Sequence, residues 1–180
     1  MSKGPAATTG PSRRRGHVAL TEDQVATRTF ALVLLNFLHR MDEVRREAYG
    51  ADLNMASVGE AVGIVASEAR RRDPTFREKY SDFRVIIGVA GQQPSNALSI
   101  ASATGLPRET ARRKLQELTK RGILMKKDGG YIMKPGFIQT PENLARADRA
   151  MREAVHFINE CFNFGLVRWV EEPETPPKRG

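Results

Sequence analysis

Between residues 107 and 134 the basic side chains fall in a pattern that suits recognition of phosphates and base edges. On a helix over 107–121, Ala111, Leu115 and Leu118 share one face. Arg108, Glu109, Thr110, Arg112, Arg113 and Gln116 are left for the other. Arginine pairs bidentately with guanine, and hydroxyl and amide groups bond either a base or a phosphate. Such a helix suits the major groove of double-stranded DNA. Arg112 and Arg113 are the first candidates for base or phosphate contacts, with Thr110 and Arg108 next. Behind them, Lys126, Lys127 and Lys134 lie on an expected hairpin around Asp128–Gly129–Gly130. Lysines at or beside its tip would reach the backbone or the minor groove and hold phosphates without reading sequence.

Catalytic chemistry finds little support. His17, His39 and His156 are scattered, with no second ligand at metal spacing. There is neither a phosphate-binding loop nor a dinucleotide fingerprint, and Gly88 and Gly91 are a lone pair of glycines. The expectation is a protein that is not an enzyme, with no catalytic residue, no metal and no cofactor. A single cysteine, Cys161, forbids an intramolecular disulfide and fits a reducing compartment. Beside Ile158 and Phe162 it reads as a small core residue more than as a redox sensor. The longest apolar run, Phe30 to Leu38, is interrupted by Asn36 and falls short of the ~18 residues that a membrane helix needs. The N-terminal charges are followed by no apolar leader core. A cytoplasmic protein is expected.

The charge is unevenly spread. The 180 residues carry a formal +8. Residues 91–135 hold nine basic against three acidic groups, and residues 1–17 hold Lys3, Arg13, Arg14 and Arg15 with no acid. The remaining stretches are close to neutral. An excess confined to a tail and one short segment is the electrostatic footprint of a phosphate-binding surface.

The elements that must position these groups read as mainly α. Residues 1–20 suggest a disordered basic arm whose charges at 3–15 are expected to add a further contact to DNA. A helix over 21–49, capped by Thr21, carries Phe30, Leu34, Phe37, Met41, Val44 and Ala48 at helical spacing. A second, over 54–72 with Asn54 as cap, carries Met55, Val58, Val62 and Val65. A third follows Asp73–Pro74, marked by Phe76, Tyr80, Phe83, Ile87 and Ala90. Short helices are expected over 96–104 and 107–121, and two strands over 123–134. A last helix, 142–165, shows Leu144, Ala147, Met151, Val155, Ile158 and Phe162 on one face. The tail 171–180 should be loose.

The corner between the two short helices has a reason at each position. Ala101 is small where the second helix crosses the first. Gly105 suits a positive φ at the helix end, Leu106 plugs the corner, and Pro107 starts the next helix without losing a hydrogen bond. The stretch ALSIASATGLPRETARRKLQELTKRGIL, with KKDGGY behind it, resembles the winged helix-turn-helix of bacterial one-component transcriptional regulators, the MarR-like group and its relatives. The likeness covers roughly residues 76–138. It implies a winged helix over 73–138, with 107–121 as the recognition helix and 123–134 as the wing. The flanking segments 21–72 and 139–170 would then be dimerisation helices. The implied partners are double-stranded DNA and a second copy of the chain, with any small-molecule effector unidentified. Helix 54–72 has no fixed place in that scheme. A protein-docking winged helix and an RNA-binding or chromosome-associated protein remain alternatives.

Overall fold

The computed structural model describes residues 16–22 and 27–171, with only the backbone described for 69–71. The chain divides into two compact units. The larger runs from Asn36 to Val155, and the smaller is built from both chain ends, through Leu35 and from His156 onward. The described residues are mainly helical. None of their helices is long and apolar enough to cross a membrane.

In chain order, α1 (Arg28–Tyr49) is followed by α2 (Leu53–Arg71) and α3 (Pro74–Lys79), and the division between the units falls within α1 and within the last helix. A 3-10 turn at Val89–Gly91 leads to α4 (Ala97–Thr104) and α5 (Arg108–Lys120). Then come β2 (Leu124–Lys127), β3 (Gly130–Met133) and α6 (Pro141–Asn163). The core forms where the apolar stripes of α2, α4 and α5 meet the hairpin. Met55, Val58 and Val62 pack with Ile100 and Ala101, with Ala111, Leu115 and Leu118, and with Leu124, Tyr131 and Met133. Spacings of three and four put each set on one helical face.

Caps and turns fix the ends of these elements. The Asn96 side chain accepts from the backbone N–H groups of Leu98 (3.0 Å) and Ser99 (2.9 Å), capping α4. Gly105 closes that helix at φ 68°. The hairpin turns on Asp128 (φ 46°) and Gly129 (φ 76°), the two positive values that a two-residue turn of this hand needs. Ser95 and Tyr131 exchange backbone hydrogen bonds of 2.8 and 2.9 Å, so the segment before α4 adds a bridge to β3. Arg45 ties α1 to α2 within this unit. Its guanidinium donates to Glu60 through Nε and Nη2, to Ser57, and to Asp42 on its own helix.

In the smaller unit β1 (Gly16–Leu20) pairs antiparallel with β4 (Val167–Glu171), setting Val18 opposite Trp169 and Leu20 opposite Val167. Val33, Cys161 and Leu166 are buried there, with Phe30, Phe157 and Val167 packed around them. Cys161 is therefore a core side chain, and burial pushes its thiol pKa up.

Several expectations are corrected. Residues 16–20, expected in a loose arm, form β1, and Glu171, expected in a loose tail, ends β4. Residues 1–15 and 172–180 lie outside the described residues. The first helix starts at Arg28, where Thr27 Oγ1 accepts from Phe30 N (3.2 Å). Thr21, the expected cap, instead donates its backbone N–H to the Leu166 carbonyl. Asp52 rather than Asn54 caps α2, accepting from Asn54 N at 3.0 Å. Helix 54–72, grouped with the dimerisation segment, belongs to the core with α4 and α5. The third helix stops at Lys79. Ser81 folds its hydroxyl onto the Glu78 carbonyl, and Asp82 accepts from Arg84 N (2.8 Å), a local turn that competes with helix. The β-branched run Val85–Ile86–Ile87 gives helix little further help.

Candidate nucleic-acid interface

Helix α5 is two-sided. Ala111, Leu115 and Leu118 are fully buried, while Arg108, Glu109, Arg112, Arg113 and Gln116 are exposed and Thr110 is half-buried. The helix is pinned from its inner side at two levels. Lys114 is 7% exposed and its ammonium pairs with Asp52 at the start of α2. Arg121, just past the helix end, donates from Nη1 to the Tyr49 carbonyl (2.9 Å) and from Nε to Glu117 (2.9 Å). Both grips fall on the turn between α1 and α2, which fixes how far α5 stands from α2. Lys114 was not singled out from the sequence. Its signal was there, because 114 lies three after Ala111 and four before Leu118, on the inward face.

On the outer face Arg112 is not loose. Its Nε and Nη2 donate to the two carboxylate oxygens of Glu109 at 2.9 and 2.5 Å. That hydrogen bond, with the charge of the guanidinium, holds the Glu109 carboxyl below its ordinary pKa. Arg108 and Arg113 lean on the same carboxylate only through longer-range attraction. The acid therefore offsets part of the positive charge that the sequence places here.

The hairpin lysines part company. Lys126 and Lys134 are exposed. Lys127 is turned back, and its Nζ donates to the carbonyls of Val89 (3.0 Å) and Gln92 (3.2 Å). Of the three lysines expected at or beside the tip, Lys127 thus already commits its ammonium to the backbone of the 89–92 segment. Neighbours on a strand point to opposite faces, so Lys126 and Lys127 cannot both face outward. The face given to Lys127 is the one against which the 89–92 segment lies. Gln92, itself buried, closes the same joint from the other side by donating from Nε2 to the Met133 carbonyl (2.9 Å).

The structure thus brings Arg108, Glu109, Thr110, Arg112, Arg113 and Gln116 onto one helix and sets Lys126 and Lys134 on the hairpin that follows it. Lys3 and Arg13 to Arg15 lie outside the described residues. Among the described residues, no group of three or more histidine, cysteine or acidic side chains is placed to hold a metal ion. A mostly apolar cavity of about 220 Å³ lies between α2, the 83–92 segment and the chain after β3, with Ala66, Ile87, Met133 and Ile138 among its walls. No family model matches this chain, and no curated protein and no solved structure is significantly similar to it.

Proposed function

We propose that this chain is a winged-helix protein that binds double-stranded DNA in a sequence-dependent way as a homodimer and acts as a transcriptional regulator. In this reading α5 enters the major groove and the hairpin lies on the backbone or in the minor groove. The observation that carries it is the two-sided α5. Its inner face is locked into the core down to a buried lysine, and its outer face presents arginines, a carboxylate and an amide. A rigid helix whose exposed side is made of bidentate hydrogen-bonding groups is what direct base readout requires. The order of α2, the Ser95 bridge, α4, α5 and a hairpin supports the winged-helix part. The likeness to MarR-like regulators rests on the sequence of residues 76–138 alone.

The second copy is supported by the smaller unit. Val18, Leu20, Leu32, Leu35, Ile158, Phe162, Phe164 and Trp169 are all exposed in it, against a core of three fully buried side chains. Eight large apolar side chains exposed around so small a core favour an interface. A stable dimer needs roughly 800 Å² from each partner, which side chains of this size and number can supply. Two copies would place two α5 helices on successive grooves, so the site should be a pseudo-palindrome with half-sites about 10 bp apart or a multiple of that.

The test is selection from a random duplex library, followed by comparison of the winner with scrambled DNA at ~150 mM salt. A two-fold-symmetric motif bound ~10³ or more tighter than scrambled sequence is expected. Enrichment of no motif, with binding that vanishes as salt rises, would leave the charge as a backbone handle and overturn the reading.

A further inference from the structure

Arg112 and Glu109 are both exposed, with 49% and 75% of their side-chain surface open to solvent, yet they are held together by two hydrogen bonds. Packing does not force that pairing, and an exposed pair one turn apart contributes little to stability. Its consequence is one of direction. A guanidinium carries five N–H donors along two bidentate edges, a side edge of Nε with Nη2 and a terminal edge of Nη1 with Nη2. Glu109 occupies the side edge, one oxygen to each nitrogen. The terminal edge, furthest out along the side chain, keeps two parallel donors. Two parallel donors match the O6 and N7 acceptors of guanine in the major groove.

We propose that Glu109 is a positioning residue that holds Arg112 by its side edge so that the terminal edge reads guanine. This rests on the reading of α5 as the helix that enters DNA. Arginine carries a large store of rotamer freedom, and part of the cost of ordering it on a base is met before binding when a neighbour already holds it. Glu109 also sets a penalty against every duplex, because its charge repels phosphate. The two effects act on different quantities. The buttress raises discrimination at one base pair, and the charge lowers affinity for all sequences alike.

The experiment uses the full chain and the DNA motif it selects, with sites altered one base pair at a time. Glu109→Ala should reduce the preference for guanine at one base pair of each half-site roughly tenfold, the scale of one bidentate base contact. The same variant should bind unrelated duplexes more tightly, since it loses a negative charge. In an Arg112→Ala background, Glu109→Ala should change that preference no further. Arg112→Lys can still donate to O6 and N7 but has no side edge for Glu109 to hold, so in that background Glu109→Ala should leave the guanine preference unchanged. Glu109→Gln keeps one acceptor oxygen and should retain part of it. If Glu109→Ala shifts every duplex by the same factor and leaves the motif intact, Glu109 acts as a charge alone and the inference is overturned. A wild-type chain that selects no motif overturns the DNA-reading proposal and this inference together, and that result appears before any variant is compared.

Discussion

In the unit from Asn36 to Val155, Ile100, Leu115, Leu118, Leu124 and Ile132 are closed off from solvent, and the arginines of α5 stand outside. In the unit made from the two chain ends the proportions are reversed. Val33, Cys161 and Leu166 are buried, while Leu32, Leu35, Ile158, Phe162 and Trp169 are exposed. The first unit encloses a large hydrophobic core within one chain, although Ile64, Phe83, Leu98 and Met151 stay exposed on it. The second buries Val33, Cys161 and Leu166 as its cluster among the described residues. Under the proposed function, the contrast would correspond to two kinds of partner, a charged one for α5 and an apolar one for the ends.

The sharpest way to break that contrast is a pair of leucine truncations. Leu115→Ala removes a side chain with no exposed surface, and should cost about 2–5 kcal/mol in a urea titration. Against a total of ~5–15 kcal/mol for a domain, that is a large share. Leu32→Ala removes a side chain that is 60% exposed, and should cost below about 0.5 kcal/mol in dilute protein. It should cost more as the protein concentration rises, if a second copy covers it. Equal losses at the two positions, whatever the concentration, would erase the distinction between the units.

A smaller change in stability, but a change of state, is expected from charge on the apolar ends. Leu35→Glu with Ile158→Glu places two carboxylates among side chains that are 60% and 48% exposed, so the single chain should tolerate them. A dimer interface would not, because burying an unpaired carboxylate is costly. Light scattering should give twice the 20.0 kDa chain mass for the wild type and 20.0 kDa for the variant. The variant should bind a half-site normally and lose its advantage on the full palindrome. A wild-type mass of 20.0 kDa at working concentration would sink the second-copy half of the comparison.

What the sequence made legible follows the same division. Around α4, α5 and the hairpin the determinants are local. Asn96 caps a helix within three residues, Gly105 and Gly129 take positive φ, and Ala111, Leu115 and Leu118 keep helical spacing. Elements whose causes lie within a few residues can be read from a few residues. The failures lie where a distant or competing partner decides. The pairing of β1 with β4 joins opposite ends of the chain, and neither five-residue segment announces the other. Phe76, Tyr80, Phe83 and Ile87 keep helical spacing, yet the Asp82 turn ends the helix early. The partners of Lys127, the carbonyls of Val89 and Gln92, lie at a 3-10 turn that the helical spacing through Ala90 does not reveal. In the candidate site the residue types on α5 are legible, and so is the inward position of Lys114, whereas the Arg112–Glu109 tie depends on two side-chain rotamers that spacing does not set.

The smallest expected effect concerns how the finished unit holds α5. Lys114 is 7% exposed and Asp52 is about half exposed, so the pair sits at the edge of the core. The hydrogen bond from Lys114 comes first among the causes that lower the Asp52 pKa from its ordinary 3.8, followed, against burial, by the backbone N–H of Asn54. A carboxyl whose pKa falls on folding adds stability above its unfolded value and loses it as pH drops through the folded one. The chain should therefore weaken below about pH 4, in the window set by that lowered carboxyl. Asp52→Asn separates the charge from the cap, since asparagine caps a helix as well as aspartate does. It should cost less than about 1 kcal/mol at pH 7, in line with a half-exposed pair, and should flatten the acid limb of the stability curve. Asp52→Ala loses the cap as well and should cost about 0.5–2 kcal/mol more. Neither change touches the outer face of α5, so DNA selectivity should hold while stability moves. If Asp52→Asn left the acid limb unaltered, the grip of Lys114 on α2 would owe nothing to its charge, and its part in holding α5 would be the packing of its buried stem.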